Sequence, residues 1–475
     1  MEIDQEILSL NPDELEIDPK AKALIKKLLS VLEQFAKEIA DLRVENQKLR
    51  DEIARLKGEK GKPRILPNVK GTDAEEGGDA VQKKAWDKGL KVAHVKINRT
   101  ERISVDRRKL PKDAVFKGYR EVTVQELKFE PDNIRFLIER YYSKSENRAY
   151  EGELPNWVDG SFGPKLKAFV INLYFAGRVP ENKIRTILGE MGVVISEGEI
   201  SGIITKTGQE KFAEEKDGIF KAGMESAEYV QSDDTGLRHK GVNHHVMIVC
   251  NPYFGAFFIN RYKNRGTVRR IFGLEDGKFL DKVLITDNAG QFWDISKEDA
   301  LCWVHDDRHY KKLTPWLLYS RRELERFRGE WHAFFLLLKK YKLRPTVEKR
   351  MRISKRFDEL FTTQTGYKEL DERIAATYAD KEKLLRVLNH PNIPLDNNES
   401  ERGVREFVIK RLVSHGTRSE AGRRAWENMM TILDTCRKNG VSFYYYVLDV
   451  LSKRCSMPRL SELIVQHAHQ SSTTY

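Results

Sequence analysis

The chain has 475 residues, too many for one ordinary core, so two to four domains are expected. Its 84 basic residues outnumber 72 acidic ones, and the net charge of +12 suits a polyanionic partner. Four scattered cysteines (Cys250, Cys302, Cys436, Cys455) form no CxxC pair, which argues against a disulfide framework or a zinc ribbon. No apolar run approaches the ~20 residues of a membrane span, and Met1-Glu2-Ile3-Asp4 is no basic leader, so a cytoplasmic protein without a membrane partner is expected.

Residues 1–60 read as a coiled-coil dimerisation segment. Ile25, Leu32, Ile39, Asn46 and Ile53 fall at heptad position a, and Leu28, Phe35, Leu42, Leu49 and Leu56 at d. The g-to-e′ pairs Glu38/Arg43, Glu45/Arg50 and Glu52/Lys57 are opposite in sign, as a parallel dimer requires, and Asn46 penalises other registers. An amphipathic helix packed on its own protein is the competing explanation. Residues 61–90 are polar and glycine-rich, a linker composition. Residues 91–155 read as a small β module with strand-like runs at 115–119, 121–124 and 134–142. Residues 156–222 are helical, with helices opening at Gly163-Pro164, after Pro180, and after a Ser196/Glu199 capping box. Helix, glycine-containing turn, helix is the outline of a helix-turn-helix DNA-binding region. A plain three-helix packing unit fits equally well, since Ile200, Ile203, Ile204 and Lys206 offer few cations.

Residues 223–305 alternate differently. Strand patterns at 228–236, 244–250 and 256–260 precede a helix near Thr267–Phe272, a strand at 282–288 and another near 300–304. Three antiparallel strands followed by strand–helix alternation give an α/β mixed sheet, a succession that matches the ribonuclease-H-like fold. Two strands end on Asp233 and Asp287, and carboxylates at buried strand ends call for a divalent cation. Residues 306–390 read as a basic helical insertion, in which Lys339, Lys340, Lys342, Arg344, Lys349, Arg350 and Arg352 form a run suited to DNA phosphates. Residues 391–475 hold the last core helix and C-terminal helices. A capping-box-like start at Asp396-Asn397-Asn398-Glu399 places Glu401 one turn before Val404, Phe407 and Val408, able to point at the carboxylate strands. Asp233 bridging two Mg²⁺ or Mn²⁺ ions, with Asp287 on one and Glu401 on the other, would suffice for phosphodiester transfer. Asp234 and Glu399 are the near misses, since a one-residue register slip exchanges Asp233 for Asp234.

Four blocks resemble the transposases of the bacterial insertion-sequence-66 family, of the Asp-Asp-Glu (DDE) group. They are Ser232-Asp233-Asp234-Thr235-Gly236; Thr286-Asp287-Asn288-Ala289-Gly290; Cys302-Trp303-Val304-His305 with Arg308; and Pro394-Leu395-Asp396-Asn397-Asn398-Glu399-Ser400-Glu401-Arg402. The resemblance implies that Asp233, Asp287 and Glu401 are catalytic. Where the family usually has a glycine after the second aspartate, this chain has Asn288, and Asp307 stands where a second arginine is common. Many members carry a cysteine zinc module before the core; with no cysteine before Cys250, zinc is not expected. Arg308 and Arg402 suit phosphate contacts, because guanidinium forks match phosphate oxygens. His305 fits either active-site support or a buried structural role. The implied activity is cleavage at insertion-sequence ends and joining of the 3′-hydroxyl to target DNA. The implied partners are double-stranded DNA (terminal inverted repeats and target), a second copy through Ile39, Leu42, Asn46, Leu49, Ile53 and Leu56, and small accessory proteins of the element, in the bacterial nucleoid. The rivals are a catalytically inactive DNA-binding relative and a nuclease that only hydrolyses.

Overall fold

In the computed structural model the described residues are 10–56, 97–104, 119–120, 122, 130–207 and 211–472. The chain divides into two units, Val44–Pro131 and the remainder. Within its described residues the first holds the end of a long helix, α1 (Pro19–Leu56), and extended chain that includes an Arg99–Glu101 ion pair of 3.1 Å. The linker expected at 61–90 and most of the strand runs at 115–124 lie outside the described residues.

The large unit is built around one five-stranded mixed sheet. Strands β3 (Tyr229–His239), β4 (Val242–Asn251) and β5 (Phe254–Asn260) run antiparallel; β6 (Val283–Thr286) and β7 (Asp299–Leu301) join β3 in parallel, giving the order β5-β4-β3-β6-β7. A separate hairpin, β1 (Arg140–Ser143) with β2 (Arg148–Glu151), is all that the described part of the expected β module contains. The strand expected from residue 134 thus begins only at Arg140, where a partner strand becomes available. Helices α2 (Pro164–Phe175), α3 (Glu181–Glu190) and α4 (Glu197–Gly202) occupy the region read as helical, and the Ser196/Glu199 capping box is formed in both directions. Helix α5 (Ala213–Glu225) leads into β3, and α6 (Arg265–Ile271) follows β5.

The sheet divides two apolar cores by strand alternation. On β6, Leu284 belongs to the core with Val230, Ile248, Phe257, Phe407 and Trp426, while Val283 and Ile285 face the helical insertion. That insertion comprises α7 (Trp303–Lys311), α8 (Leu318–Leu343), α9 (Val347–Phe361), α10 (Lys368–Ala379) and the short α11 (Lys381–Leu384). Trp303 is its keystone. Fully buried, it meets Trp331, Phe334, Phe335, Phe357 and Phe361 at centroid distances of 5.6–6.5 Å, and its indole N–H donates to the Leu384 carbonyl at 2.9 Å. The strand expected to reach residue 304 stops at Leu301 because the Trp303 N–H is taken by the Leu395 carbonyl at 3.0 Å and a helix starts there.

Helix α12 (Asn398–Ser414) lies across β3 and β4, followed by α13 (Glu420–Lys438), α14 (Phe443–Leu451) and α15 (Leu460–Ser472). Its close approach depends on Gly403, where an added Cβ would sit 2.2 Å from Ile248 Cδ1, itself fully buried. Gly403→Val therefore lifts the helix or displaces the strand. Urea unfolding should show a loss of about 1–3 kcal/mol, whereas the same change at Gly189, which has open space around it, should cost under about 1 kcal/mol.

Candidate active site

Parallel pairing of β3 with β6 sets the first two carboxylates. Tyr229 pairs with Val283, Val230 with Leu284 and Gln231 with Ile285, each pair 54 apart in number. Asp233 and Asp287 are also 54 apart, so continuing the register past the last registered pair puts them side by side where β6 ends. The strand expected to end at Asp233 instead continues to His239, because β4 pairs with it along that length. Past Asp287 the chain turns sharply: Asn288 has φ +70° and the Ala289 N–H donates to Asp287 Oδ1 at 3.1 Å. An asparagine tolerates this left-handed conformation, as a glycine there would. Asn288 is also tied down, donating to Asp380 Oδ2 at 3.1 Å and accepting from the Trp293 indole at 3.1 Å.

Glu401 arrives on α12 through a polar clamp that sequence reading missed. Asn397 is fully buried; its amide nitrogen donates to the Ser232 carbonyl at 3.0 Å and its backbone N–H to Cys302 Sγ at 3.2 Å. Gln231 bonds both sides of the same segment, donating to the Asp396 carbonyl and accepting from the Ser400 N–H, each at 3.4 Å. The capping box expected at 396–399 is not formed. Asn397 spends its side chain on β3 instead, and Asp396 Oδ1 accepts from the Asn398 N–H at 3.1 Å. The residues that looked like a helix start are thus the joint between helix and strand, one position before Asp233.

The electrostatics join the three carboxylates. Burial pushes Asp233 up to about 7, and the charges of Asp287, Asp234 and Glu401 add to that, opposed by the Asp234 N–H that its Oδ1 accepts at 2.8 Å. Arg308 donates to Glu401 Oε2 at 2.9 Å and to His305 Nε2 at 3.0 Å. Because a guanidinium can only donate, this contact fits a neutral His305 that accepts at Nε2, which also lies 3.5 Å from Glu401 Oε1. Burial likewise holds its pKa below the usual value. Two buried atoms there have no hydrogen-bond partner among the described residues: Glu401 Oε1 and His305 Nδ1. Cys302 Sγ, a His305 ring nitrogen and a Glu401 oxygen lie within 4.8 Å of one another, but burial lifts the Cys302 thiol to about 11 and Sγ already accepts from Asn397. The desolvated Asp233, with the charges of Asp287 and Glu401 acting on it, and the orphaned Glu401 oxygen fit a hard divalent cation.

The near misses are occupied elsewhere. Asp234 pairs with Lys263 at 2.8 Å and accepts from Gln291 at 2.8 Å, and Glu399 pairs with Lys438 at 3.1 Å. The basic run is divided. Lys340, Arg344, Lys349, Arg350 and Arg352 are exposed, as is Lys339, which lies over the Phe335 ring at 4.7 Å. Lys342 is the exception: it turns inward, its ammonium donating to the Ile393 carbonyl, because the end of α8 is buried on that side. Arg402 is exposed beside Glu401 in sequence. A further unread feature is Asp306, buried, which accepts from Trp331 Nε1 (3.0 Å), Arg373 (2.7 Å) and Thr377 (2.7 Å), and so locks α7, and with it Arg308 and His305, onto α8 and α10.

Asp233 yields a pH prediction. A carboxyl raised from 3.8 to about 7 keeps its proton when the unfolded chain has lost it, so its contribution to stability falls as pH rises from about 4 to about 7 and is flat above. Asp233→Asn should therefore raise metal-free stability at about pH 8 by on the order of 1–3 kcal/mol and leave it nearly unchanged at about pH 4. Thermal unfolding at the two pH values checks this.

The family model described as Transposase IS66 family matches residues 159–425, more than half of the chain and all of the site above. A curated relative, "Uncharacterized protein y4jO" of Sinorhizobium fredii (strain NBRC 101917 / NGR234), is 40% identical over 175 residues, 37% of this chain and 54% of that protein. A second from the same strain, "Uncharacterized protein y4qI", is 36% identical over 89 residues, 19% of this chain and 16% of that protein. The chain thus spans about half of the first relative's length and less of the second's. With the matched segment running from α2 into α13, across Asp233, Asp287 and Glu401, the chain belongs to the IS66 family of transposases, for which the DDE type is the general assignment.

Proposed function

We propose that the chain is a DNA transposase that cleaves insertion-sequence ends and transfers the 3′-hydroxyl to target DNA, with Asp233, Asp287 and Glu401 as its catalytic carboxylates on a ribonuclease-H-like core. The observation that carries this reading is the common 54-residue offset of the β3–β6 register and of the two aspartates, with Glu401 brought to the same place by the Asn397 clamp. The strand order, three antiparallel strands and then two parallel ones, supports the fold. Asp233, Asp287 and Glu401 would hold two Mg²⁺ or Mn²⁺ ions, which supply activation of the attacking oxygen and stabilisation of the leaving one. Asp233, central to the trio, titrates near neutrality and is the group most relieved by a cation. Arg308 holds Glu401 in place and, with exposed Arg402, offers a fork for the phosphate.

Self-association through α1 belongs to the same reading. The helix docks on its own insertion by positions b, e and f: Leu29 and Glu33 are buried, Glu33 accepts from the Leu317 N–H at 3.2 Å and from Ser320 Oγ at 2.6 Å, and Lys37 pairs with Glu369 at 2.6 Å. Leu28, Leu32, Phe35, Ile39, Leu42, Leu49 and Ile53 at a and d stay exposed, and Asn46 with them; the side chain of Leu56 lies outside those described. An apolar seam left open by a docked helix suits pairing with a second copy. No helix among the described residues is long and apolar enough to cross a membrane.

Two experiments test the proposal. Purified protein with labelled element-end DNA and Mg²⁺ should give cleaved and joined products. Glu401→Ala should lose them by a factor of about 10³ or more while binding DNA as before. Equal binding with no product from either protein, accessory proteins being present, moves the reading to a non-catalytic DNA-binding protein. Separately, Leu42→Glu with Leu49→Glu should shift the chain to monomer in sedimentation. An unchanged mass would remove α1 from the interface.

A further inference from the structure

The turn between α8 and α9 exposes a cluster of large apolar side chains that the fold does not use. Leu343 is 82% exposed, Val347 74% and Met351 63%, while the opposite side of α9 (Ile353, Phe357, Leu360, Phe361) is buried. Val347 and Met351 are one turn apart on the outward face, and Leu343 ends the preceding helix. The tip is firmly rooted. Tyr341 donates to the Leu388 carbonyl at 2.8 Å, Lys342 to the Ile393 carbonyl, and Thr346 caps α9 by accepting from the Lys349 N–H at 3.2 Å. Around it stand Lys340, Arg344, Arg350, Arg352 and Lys355, all exposed and none in an ion pair with another described residue. Glu348 is the single acid in the run 339–356.

We propose that this tip is a DNA-deforming wedge, in which Leu343, Val347 and Met351 press between base steps while the surrounding cations hold the flanking phosphates. The inference rests on the DNA reading above and adds to it a second, mechanical contact within the insertion. A polyanion is the occupant because the apolar spot is ringed by cations that no described acid neutralises, and a rigid, solvent-facing cluster of this kind has no role in the isolated chain. Apolar wedges of Leu, Ile, Met, Phe or Pro partly unstack a step and bend the duplex, and the surrounding basic residues supply affinity without reading sequence.

The test uses the full chain and a short duplex with a central TA step, a 2-aminopurine beside the step, and fluorophores on both ends. The wild type should raise the 2-aminopurine emission and bring the ends closer. Replacing Leu343, Val347 and Met351 together by serine changes only exposed positions. It should abolish both signals while altering affinity no more than about 10-fold and leaving the salt dependence as it was. Arg344→Ala, Arg350→Ala and Arg352→Ala together should instead weaken binding and flatten the slope of log affinity against log salt by about 0.9 for each phosphate that is no longer neutralised. Wild-type binding with neither signal, or serine variants that bend DNA as the wild type does, overturns the wedge. In that case cleaved and joined products would still stand for the transposase reading. Capture on phosphatidylserine vesicles that is lost in the serine variant, with DNA signals unchanged, would assign the tip to a lipid surface and also overturn the proposal.

Discussion

The parallel pairing of β3 with β6 is the constraint on which the site depends. A strand ladder leaves no freedom of register once one face is buried, since a slip by one residue exchanges the two faces. Here the ladder sets a 54-residue offset, so Asp287 falls beside Asp233 and not beside Asp234. Asp234 points elsewhere and is neutralised by Lys263. Asp233 has no ion pair among the described residues, and burial with neighbouring negative charge lifts it to about 7. The sheet thus holds a carboxyl in an environment that disfavours its charge, and the two apolar cores on either side maintain that arrangement.

Glu401 reaches the same place by a different means. Its helix is held by one glycine, Gly403, that lets the backbone lie close on β4, by Asn397, which bonds to β3, and by Gln231 of β3, which bonds back to the helix start. Arg308 approaches from the opposite core. Its helix is fixed by Trp303 in an aromatic cluster and by the buried Asp306 network. The site therefore sits where the two cores meet, and each contributes one partner of the Arg308–Glu401 pair. A buried carboxylate such as Asp306 is tolerated because three donors compensate it; removing any one leaves a charge without its bond.

The N-terminal helix adopts one of the two explanations its sequence allowed and leaves the surface for the other exposed. It packs on its own protein through positions b, e and f, beside the exposed heptad seam. Glu33 supplies the polar part of that contact at the start of α8, where free N–H groups and the helix dipole favour a carboxylate.

The sequence alone determined what is local or periodic. Strand alternation and turn residues marked the core strands to within a few positions, the Ser196/Glu199 cap marked a helix start, and the heptads marked which face of α1 would remain apolar. It also singled out Asp233, Asp287 and Glu401 as candidates, because carboxylates in or beside apolar strands, or before an apolar helical stripe, are costly unless something requires them. Only the tertiary structure decided which groups would meet across long stretches of chain. Asn397 read as part of a helix cap and became a strand anchor; Lys342 read as a phosphate contact and became a buried tether; Asp306 and Gln231 carried no local signal at all. Each of those outcomes depends on partners 25 to 169 residues away. A polar side chain takes the partner that burial leaves it, and burial is a property of the folded chain rather than of any window of sequence.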